Sequence, residues 1–326
     1  MQKGVVILGE VLFDSIEKKG DFEGDLLLGG APANCALGLA SVSNQKVFFV
    51  GGVSTDNLGR LAYETLREKG VSLDYVTRSD KPTRIVRVIL DQKTQERTFG
   101  GFKGIPDEGY ADEDIEGMFI DHLFFEQDIA AIYTGSLIMA KERGQEVVRT
   151  LSIFAQEKQI PIFLDVNMRP IFFSNEEAMF EMVEEALSYA QMVKMSQEEA
   201  KSLVEYFFHD EIEFSLTRPK EIQKYIQLFS ERLPSLGLMS ITFGEQGSYL
   251  WQRGEGIVCV AQKEIPVDTT GAGDAYCAGM LEEITRQQSL GKILGDLDLH
   301  VIAKRANEMG RKAVLYRGAM EYTNHL

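Results

Sequence analysis

Short apolar runs alternate along this chain with longer stretches in which apolar residues recur every three or four positions, the rhythm of an α/β protein. Val5–Leu8 is uninterruptedly apolar and predicts a buried strand, followed by Gly9, Glu10 and a further acid, Asp14. From Pro32 to Val42, the residues Ala33, Ala36, Leu37 and Ala40 fall at helical spacing, and Pro32 suits a first turn. Val47–Val50 predicts the next strand, and Leu58 to Lys69 a helix closed by Gly70. Further strands are expected at Ala131–Thr134, Ile162–Val166, Met192–Met195 and Leu238–Phe243. Helices should separate them near 144–158, 176–190, 197–206 and 219–232. Strands that are apolar throughout, rather than alternating, fit a parallel sheet covered on both faces.

Two stretches break the rhythm. Residues 11–28 and 83–103 read as β-rich excursions rather than crossover helices, with the β-branched run Arg84–Leu90 and a polar turn at Asp91–Glu96 before Arg97-Thr98-Phe99. Together they predict a small second sheet or lid. Phe207–Arg218 is irregular and reads as an insertion. There is no internal repeat and no low-complexity linker.

The composition narrows the partners. With 34 Lys and Arg against 50 Asp and Glu in 326 residues, the formal charge is −16, which disfavours duplex nucleic acid and anionic membrane surfaces. Local basic pockets for a small phosphorylated ligand remain open. The 44% of apolar residues suffices for a large core. Cys35, Cys259 and Cys277 are too scattered for a disulfide framework or a zinc knuckle, and fit a reducing compartment. The opening MQKGVVILGEVLFDS is too short to span a membrane and lacks a small-residue cleavage site, so a cytoplasmic location is expected.

Absent motifs exclude chemistry. No G-x-x-x-x-G-K-S/T, no strand-linked G-x-G-x-x-G and no G-x-S-x-G occurs, and the four histidines do not form a ligand pair. What stands out is Val267–Gly279, VDTTGAGDAYCAG. A polar, glycine-rich turn from Thr269 to Gly273 feeds a helix expected to start near Asp274 and to run through Ala275, Ala278, Leu281 and Ile284. Unpaired N–H groups and the dipole at a helix start attract anions, and Gly271 and Gly273 leave room for a phosphate to approach the backbone. A carboxylate beside it, Asp274, is the right reagent to take a proton from an alcohol that attacks a phosphoryl group. The bland alternative is a turn with an N-cap.

This string resembles the carboxyl-terminal signature of the ribokinase, or PfkB-type, carbohydrate kinases. Near the other end, Gly29-Gly30-Ala31-Pro32-Ala33-Asn34-Cys35-Ala36 is similar to that family's di-glycine sugar-site motif. Further matches follow in order. Gly51 to Gly59 resembles G-x-x-G-x-D-x-x-G, with Ser54 in place of the second glycine. Asp165 to Arg169 matches D-x-N-x-R, and Lys194 to Glu199 matches K-x-N/S-x-x-E. Thr242 to Gly247 fits T-x-G-x-x-G, and Ala306-Asn307 fits the adenine-side helix.

The resemblance implies a ribokinase-like three-layer αβα sandwich over residues 1–326, with a mostly parallel central sheet and the inserted β lid. It implies transfer of the γ-phosphate of ATP to a sugar hydroxymethyl group. Asp274 is then the catalytic base, with Gly271, Ala272 and Gly273 as the anion hole. Asp14, Gly29, Gly30 and Asn34 would bind the sugar; a solvated acid and a first-turn cap are the competing readings for Asp14 and Asn34. Asn167, Arg169, Ser196, Thr242, Gly244, Gly247 and Asn307 would serve ATP, although Arg169 also suits a structural ion pair. Glu199, with Glu198 as its rival, would organise Mg²⁺ through water, while Asp268 and Thr270 match a K⁺ site.

The GGAPAN string, Ser196 and the Gly9-Glu10…Asp14 pattern resemble the fructokinase branch. Phe99 to Lys103 lacks the Tyr-Arg pair expected in many fructokinases and 2-keto-3-deoxygluconate kinases, which weighs against a sugar-acid substrate unless Lys103 or Arg97 substitutes. Alternatives are a 2-keto-3-deoxygluconate kinase, another sugar or nucleoside kinase, and a catalytically idle ligand-binding relative. Homodimerisation through the lid is expected, with Arg84–Leu90 as its edge.

Overall fold

Val5 and Ile7 pack into one hydrophobic core while Val6 and Leu8 pack into another, and all four are fully buried. A strand covered in this way on both faces lies in the middle of a three-layer structure. The computed structural model describes residues 3–18, 24–90, 97–104 and 106–326. In chain order its principal elements begin with β1 (Gly4–Leu8), β2 (Leu12–Lys18), β3 (Gly24–Gly29), α1 (Ala31–Val42), β4 (Val47–Ser54) and α2 (Asn57–Glu68). Then come β5 (Val71–Ser79), β6 (Ile85–Leu90), β7 (Arg97–Phe102), α3 (Met118–Glu126), β8 (Ile129–Gly135) and α4 (Glu142–Glu157). They continue with β9 (Ile162–Asp165), α5 (Glu176–Tyr189), β10 (Met192–Ser196), α6 (Gln197–Phe208) and α7 (Pro219–Arg232). The last are β11 (Leu238–Thr242), β12 (Gly247–Gln252), β13 (Glu255–Val260), α8 (Ala272–Ser289) and α9 (Leu299–Ala313).

The large sheet has the order β13-β12-β11-β10-β9-β8-β1-β4-β5, parallel from β11 to β5 with an antiparallel hairpin at one end. Helices α1, α2, α8 and α9 cover one face, and α3 to α7 the other. This is the expected αβα sandwich. The strand order reverses at β1, which pairs with β8 on one side and β4 on the other. In open α/β sheets, ligands bind in the crevice at the carboxyl ends of the strands near such a reversal.

The segments 11–28 and 83–103 contain β2, β3, β6 and β7, which form a separate four-stranded sheet of order β3-β2-β6-β7. Its strand β6 lies between β2 and β7 and is paired on both sides. Arg84–Leu90 therefore offers no free edge, contrary to expectation, because its backbone groups are spent within the sheet; the edges are β3 and β7. The turn expected at Asp91–Glu96 lies outside the described residues.

Helix α8 begins at Ala272 rather than near Asp274, so Asp274 sits inside the first turn. Its small residues let the neighbouring helices approach closely. A Cβ on Gly279 would sit 3.0 Å from Ala306 Cα of α9, and one on Gly38 of α1 would sit 3.0 Å from Ala278 Cβ. This packing fixes the first turns of α1 and α8 relative to each other.

Candidate active site

Helix α1 starts immediately after Gly30, whose φ of +100° brings the chain off β3 so tightly that a Cβ there would meet the Glu10 carbonyl oxygen at 2.7 Å. One turn on, Asn34 is buried and donates from Nδ2 to Asp274 Oδ2 at 2.7 Å. That bond joins the two expected sugar-site and base residues, 240 positions apart. Asn34 Oδ1 is buried with no partner among the described residues, an acceptor still available to a ligand hydroxyl. Asp14 lies alongside, since a Cβ on Gly29 would come within 2.8 Å of its Oδ2.

Gly271 is the N-cap of α8 with φ +77°, and a Cβ there would run into Ala319 at 2.5 Å. Only glycine suits this turn. It aims the first-turn N–H groups of α8, around Ala272 and Gly273, out of the helix start, where they lack intrahelical acceptors, that of Ala272 meeting the Thr269 carbonyl at 3.3 Å. Below them, Lys194 Nζ sits 3.3 Å from the place a Gly273 Cβ would occupy and 2.9 Å from Asp165 Oδ1. Tyr133 donates its hydroxyl to the other Asp165 oxygen at 3.2 Å.

These neighbours set the charge of Asp274. Burial, and next the charge of Asp165, push its carboxyl up to about 6, while the Asn34 hydrogen bond and the cations Lys194 and Arg169 pull it back. Burial also opposes the charge of Lys194, but Asp165 and its surroundings outweigh it and hold the ammonium firmly protonated. The site thus couples a carboxylate poised to gain or lose a proton near neutrality with a fixed cation and a helix start.

A cavity of about 310 Å³ opens beside the start of α8, lined by Thr242, Gly244, Gly247, Ala272, Gly273 and Asn307 among others. Four of the residues expected to serve ATP, Thr242, Gly244, Gly247 and Asn307, converge here. Thr242 Oγ1 donates weakly to the Met195 carbonyl at 3.4 Å, and Asn307 Nδ2 donates to the Cys259 carbonyl at 3.1 Å. A larger groove of about 1180 Å³ lies at the amino-terminal edge of the strands, near Ile129 and Ile162. It holds none of these groups and is not the site.

Other expected site residues occupy supporting positions. Ser196 caps α6, and Glu199 completes a capping box: Oε2 accepts from Ser196 N–H at 2.7 Å and Oε1 from Met168 N–H at 2.9 Å. Glu199 therefore ties the Asn167 loop, where Asn167 has φ +38°, to α6. Arg169 is exposed and donates to the Met168 carbonyl at 2.9 Å. Asp268 is buried and accepts from Thr270 N–H and Gly318 N–H, each at 2.9 Å, which braces the turn before Gly271. Among the described residues no three acidic, histidine or cysteine side chains group as a direct metal cage. Lys103 bonds with Glu17 at 3.2 Å, and that carboxylate also receives Arg87 at 2.7 Å, so Lys103 is committed within the small sheet. The Arg97 side chain lies outside the described residues.

Asp165 and Lys194 stand in the sequence only inside motif strings, without a role assigned to either. A usable signal is present, because each is the lone charge in an otherwise largely apolar strand, Asp165 at the end of β9 and Lys194 in the middle of β10. They stand in register on β9 and β10. Glu10, named in the sequence only within a pattern, is buried as well.

The comparisons with known proteins agree with this geometry. The model of the pfkB family carbohydrate kinases matches residues 2–325. A putative sugar kinase of Pyrococcus horikoshii is 28% identical over 97% of this chain and 91% of its own length. A fructokinase of Escherichia coli is 27% identical over 98% of this chain and 96% of its own. Among solved structures, a fructokinase of Xylella fastidiosa with bound ATP superposes with a TM-score of 0.82 at 24% identity, covering 99% of this chain and 95% of that one. No described helix is long and apolar enough to cross a membrane. A buried carboxyl at a helix mouth, an Asn from the opposite end of the chain bound to it and a cavity alongside accompany a match over nearly the whole length, and the chain belongs to the pfkB family of carbohydrate kinases.

Proposed function

We propose that this carbohydrate kinase is an ATP-dependent fructokinase of the cytoplasm. The observation that carries the reading is the Asn34–Asp274 hydrogen bond, which unites the sugar-side and phosphate-side motifs at one helix mouth. Fructokinases among the relatives, at 27% identity over nearly the whole chain, support fructose as the acceptor.

ATP occupies the cavity lined by Thr242, Gly244, Gly247 and Asn307, with its γ-phosphate at the first-turn amides of α8. The sugar lies between Asp14, Gly29, Gly30 and Asn34, beneath the four-stranded sheet acting as a lid. Asn34 donates to Asp274 and keeps Oδ1 as an acceptor for a sugar hydroxyl. Asp274, with a pKa near 6, is ionised at neutral pH and takes the proton of the attacking hydroxyl. Lys194 and the N–H groups at Gly271–Gly273 stabilise the charge on the transferring phosphoryl group, and Arg169 supports the phosphates from the rim. Closure of the lid excludes water as a competing acceptor.

The donor set fits a hydrated, phosphate-held Mg²⁺ rather than one caged by protein, since magnesium in such sites takes one or two carboxylates and keeps its waters. Glu199 would hold it through water with the oxygen lone pairs its backbone bonds leave free. When bound, the ion neutralises charge on the phosphates. The oxygens around Asp268 and Thr270 suit K⁺. Two copies of the chain pair through the β3 or β7 edge of the lid.

The test is a panel of neutral sugars, sugar acids and nucleosides screened for ATP-dependent phosphorylation with Mg²⁺ constant and K⁺ varied. Fructose should be turned over fastest. Asp274→Asn should lose roughly 10²–10⁴-fold or more in kcat while ATP still binds. Near-normal turnover in that variant refutes Asp274 as base, and binding without turnover of any sugar favours an idle relative.

A further inference from the structure

Behind the sugar-facing residues lies a small chamber of about 30 Å³, lined by Glu10, Arg84, Asp112, Glu113, Lys141 and Phe172 among others. Two of its carboxyl groups are more than nine-tenths buried: Glu10 is 6% exposed and Asp112 8%. Each spends one oxygen on a neighbour. Glu10 Oε1 accepts from Ala31 N–H at 3.2 Å, and Asp112 Oδ2 accepts from Arg84 Nε at 2.9 Å. The other oxygens, Glu10 Oε2 and Asp112 Oδ1, are buried with no partner among the described residues. Buried polar atoms rarely stay unsatisfied, because each costs the full desolvation of the group.

The two sides of the chamber differ. Arg84 is held beneath Tyr110, its guanidinium 4.2 Å from the ring centroid, and it bonds to both Asp112 and Glu113, so Asp112 has a cation beside it whose charge and hydrogen bond oppose the rise that burial imposes on its carboxyl. Glu10 has none. Burial foremost, then the charges of Asp112 and Asp274, push its carboxyl up to about 8, past the opposing hydrogen bonds from its own backbone and from Ala31. Glu10 therefore carries a proton at neutral pH and has an O–H to offer the chamber, which the Arg84-paired carboxyl of Asp112, an acceptor, also lines. One group complements both at once, a hydroxyl, which accepts from the first and donates to the second. The volume holds little more than a single oxygen and its carbon. The chamber also adjoins the acceptor site: Glu10 bonds to the residue after Gly30 and lies close enough to Asp274 for their charges to interact.

We propose that this chamber is the part of the acceptor site that takes one hydroxyl of the substrate, between Glu10 and Asp112, and that it selects a neutral polyhydroxy sugar over a sugar acid. A carboxylate in this place would face Asp112 and Glu113, with the charge of Arg84 already spent on both and Lys141 paired with Glu113. The inference rests on the sugar-kinase reading and sharpens its substrate class.

The experiment compares kcat/KM for the neutral sugar that the wild-type chain turns over fastest, for its monodeoxy analogues and for a 2-keto-3-deoxy sugar acid. One deoxy position should cost roughly 10²-fold in the wild type. In Glu10→Leu that penalty should shrink to within about threefold, while Glu10→Gln, whose amide still donates, keeps it. The KM for ATP should stay unchanged in both. If Glu10→Leu does not fold, Glu10→Met, unbranched and without a donor, carries the same comparison. A penalty indifferent to Glu10 overturns the subsite and leaves the chamber to a trapped water; faster turnover of the sugar acid overturns it as well. A wild-type chain that phosphorylates no sugar at all removes the kinase reading and the subsite with it.

Discussion

Lys194 reaches Asp165 with its ammonium 2.9 Å from Oδ1, on adjacent parallel strands and 3.3 Å from where a Cβ on Gly273 would lie. Both side chains are nearly inaccessible to solvent. Removing one partner of such a pair strands the other charge in a poor solvent, which costs about 3–5 kcal/mol. Lys194→Met should therefore lower unfolding stability by about that amount in denaturant titration. It should also move the acidic limb of kcat/KM to higher pH, because the cation that helps keep Asp274 ionised is gone while Asp165 remains. A melting change without movement of the limb would make Lys194 purely structural.

Asn34 adjusts Asp274, the proposed base, more finely. Its hydrogen bond is among the influences that pull the Asp274 carboxyl down, against burial and Asp165. In the wild type, kcat/KM should fall with unit slope below about pH 6 as the free enzyme's Asp274 takes up a proton. Asn34→Ala should shift that limb upward and lower kcat/KM for sugar on the order of tenfold, with the Kd for ATP unaffected. Initial rates across pH 5 to 8, with ATP saturating, check both.

Gly271 has no substitute. Its φ of +77° is unfavourable for any residue with a Cβ, and Ala319 fills the space that a methyl would need. Gly271→Ala should destabilise the chain by about 1–3 kcal/mol from overpacking and strain. The greater effect should fall on kcat, because relief by rotation of the turn would swing the first N–H groups of α8 away from the phosphoryl position. An alanine variant with unchanged kcat would remove the anion hole from this turn.

Much of this arrangement was legible in the order of residues, and what was missed has local causes. The parallel strands were visible because burial on both faces leaves no polar positions in Val5–Leu8 or Ile162–Leu164. Strand β5, Val71–Ser79, was not, because it is paired only with β4 at the sheet edge and keeps Asp74 and Arg78 exposed within it. The β12–β13 hairpin was hidden by its turn. Arg253 and Gly254 both adopt positive φ, 49° and 87°, where an Asn-Gly pair would have announced the same geometry. The terminal motifs pointed to the site, but nothing local in the sequence says that Asn34 touches Asp274, since helix packing through Gly38, Ala278 and Gly279 makes that contact.

Glu10 gives the chain an unusual response to alkali. Its folded-state pKa of about 8 lies above the ordinary carboxylate value of 4.5, so between those values the folded chain holds a proton that the unfolded chain has released. Stability linked to this group is complete below about pH 4.5, and it falls as pH rises through about 8. Asp274, raised to about 6, loses its contribution in the same direction but over the narrower interval from about 4 to 6. Glu10→Gln keeps a neutral side chain that accepts from Ala31 N–H at every pH. The wild type should therefore melt at a lower temperature at pH 8.5 than at pH 6.5, and the Gln variant should lose most of that difference. Charges that face Glu10 from other elements, Asp112, Glu113, Arg84, Lys141 and Asp274, are present in both proteins, so the difference between the two belongs to Glu10. Equal pH dependence of melting in the two proteins would mean that Glu10 is ionised in the fold and paired with a cation or water.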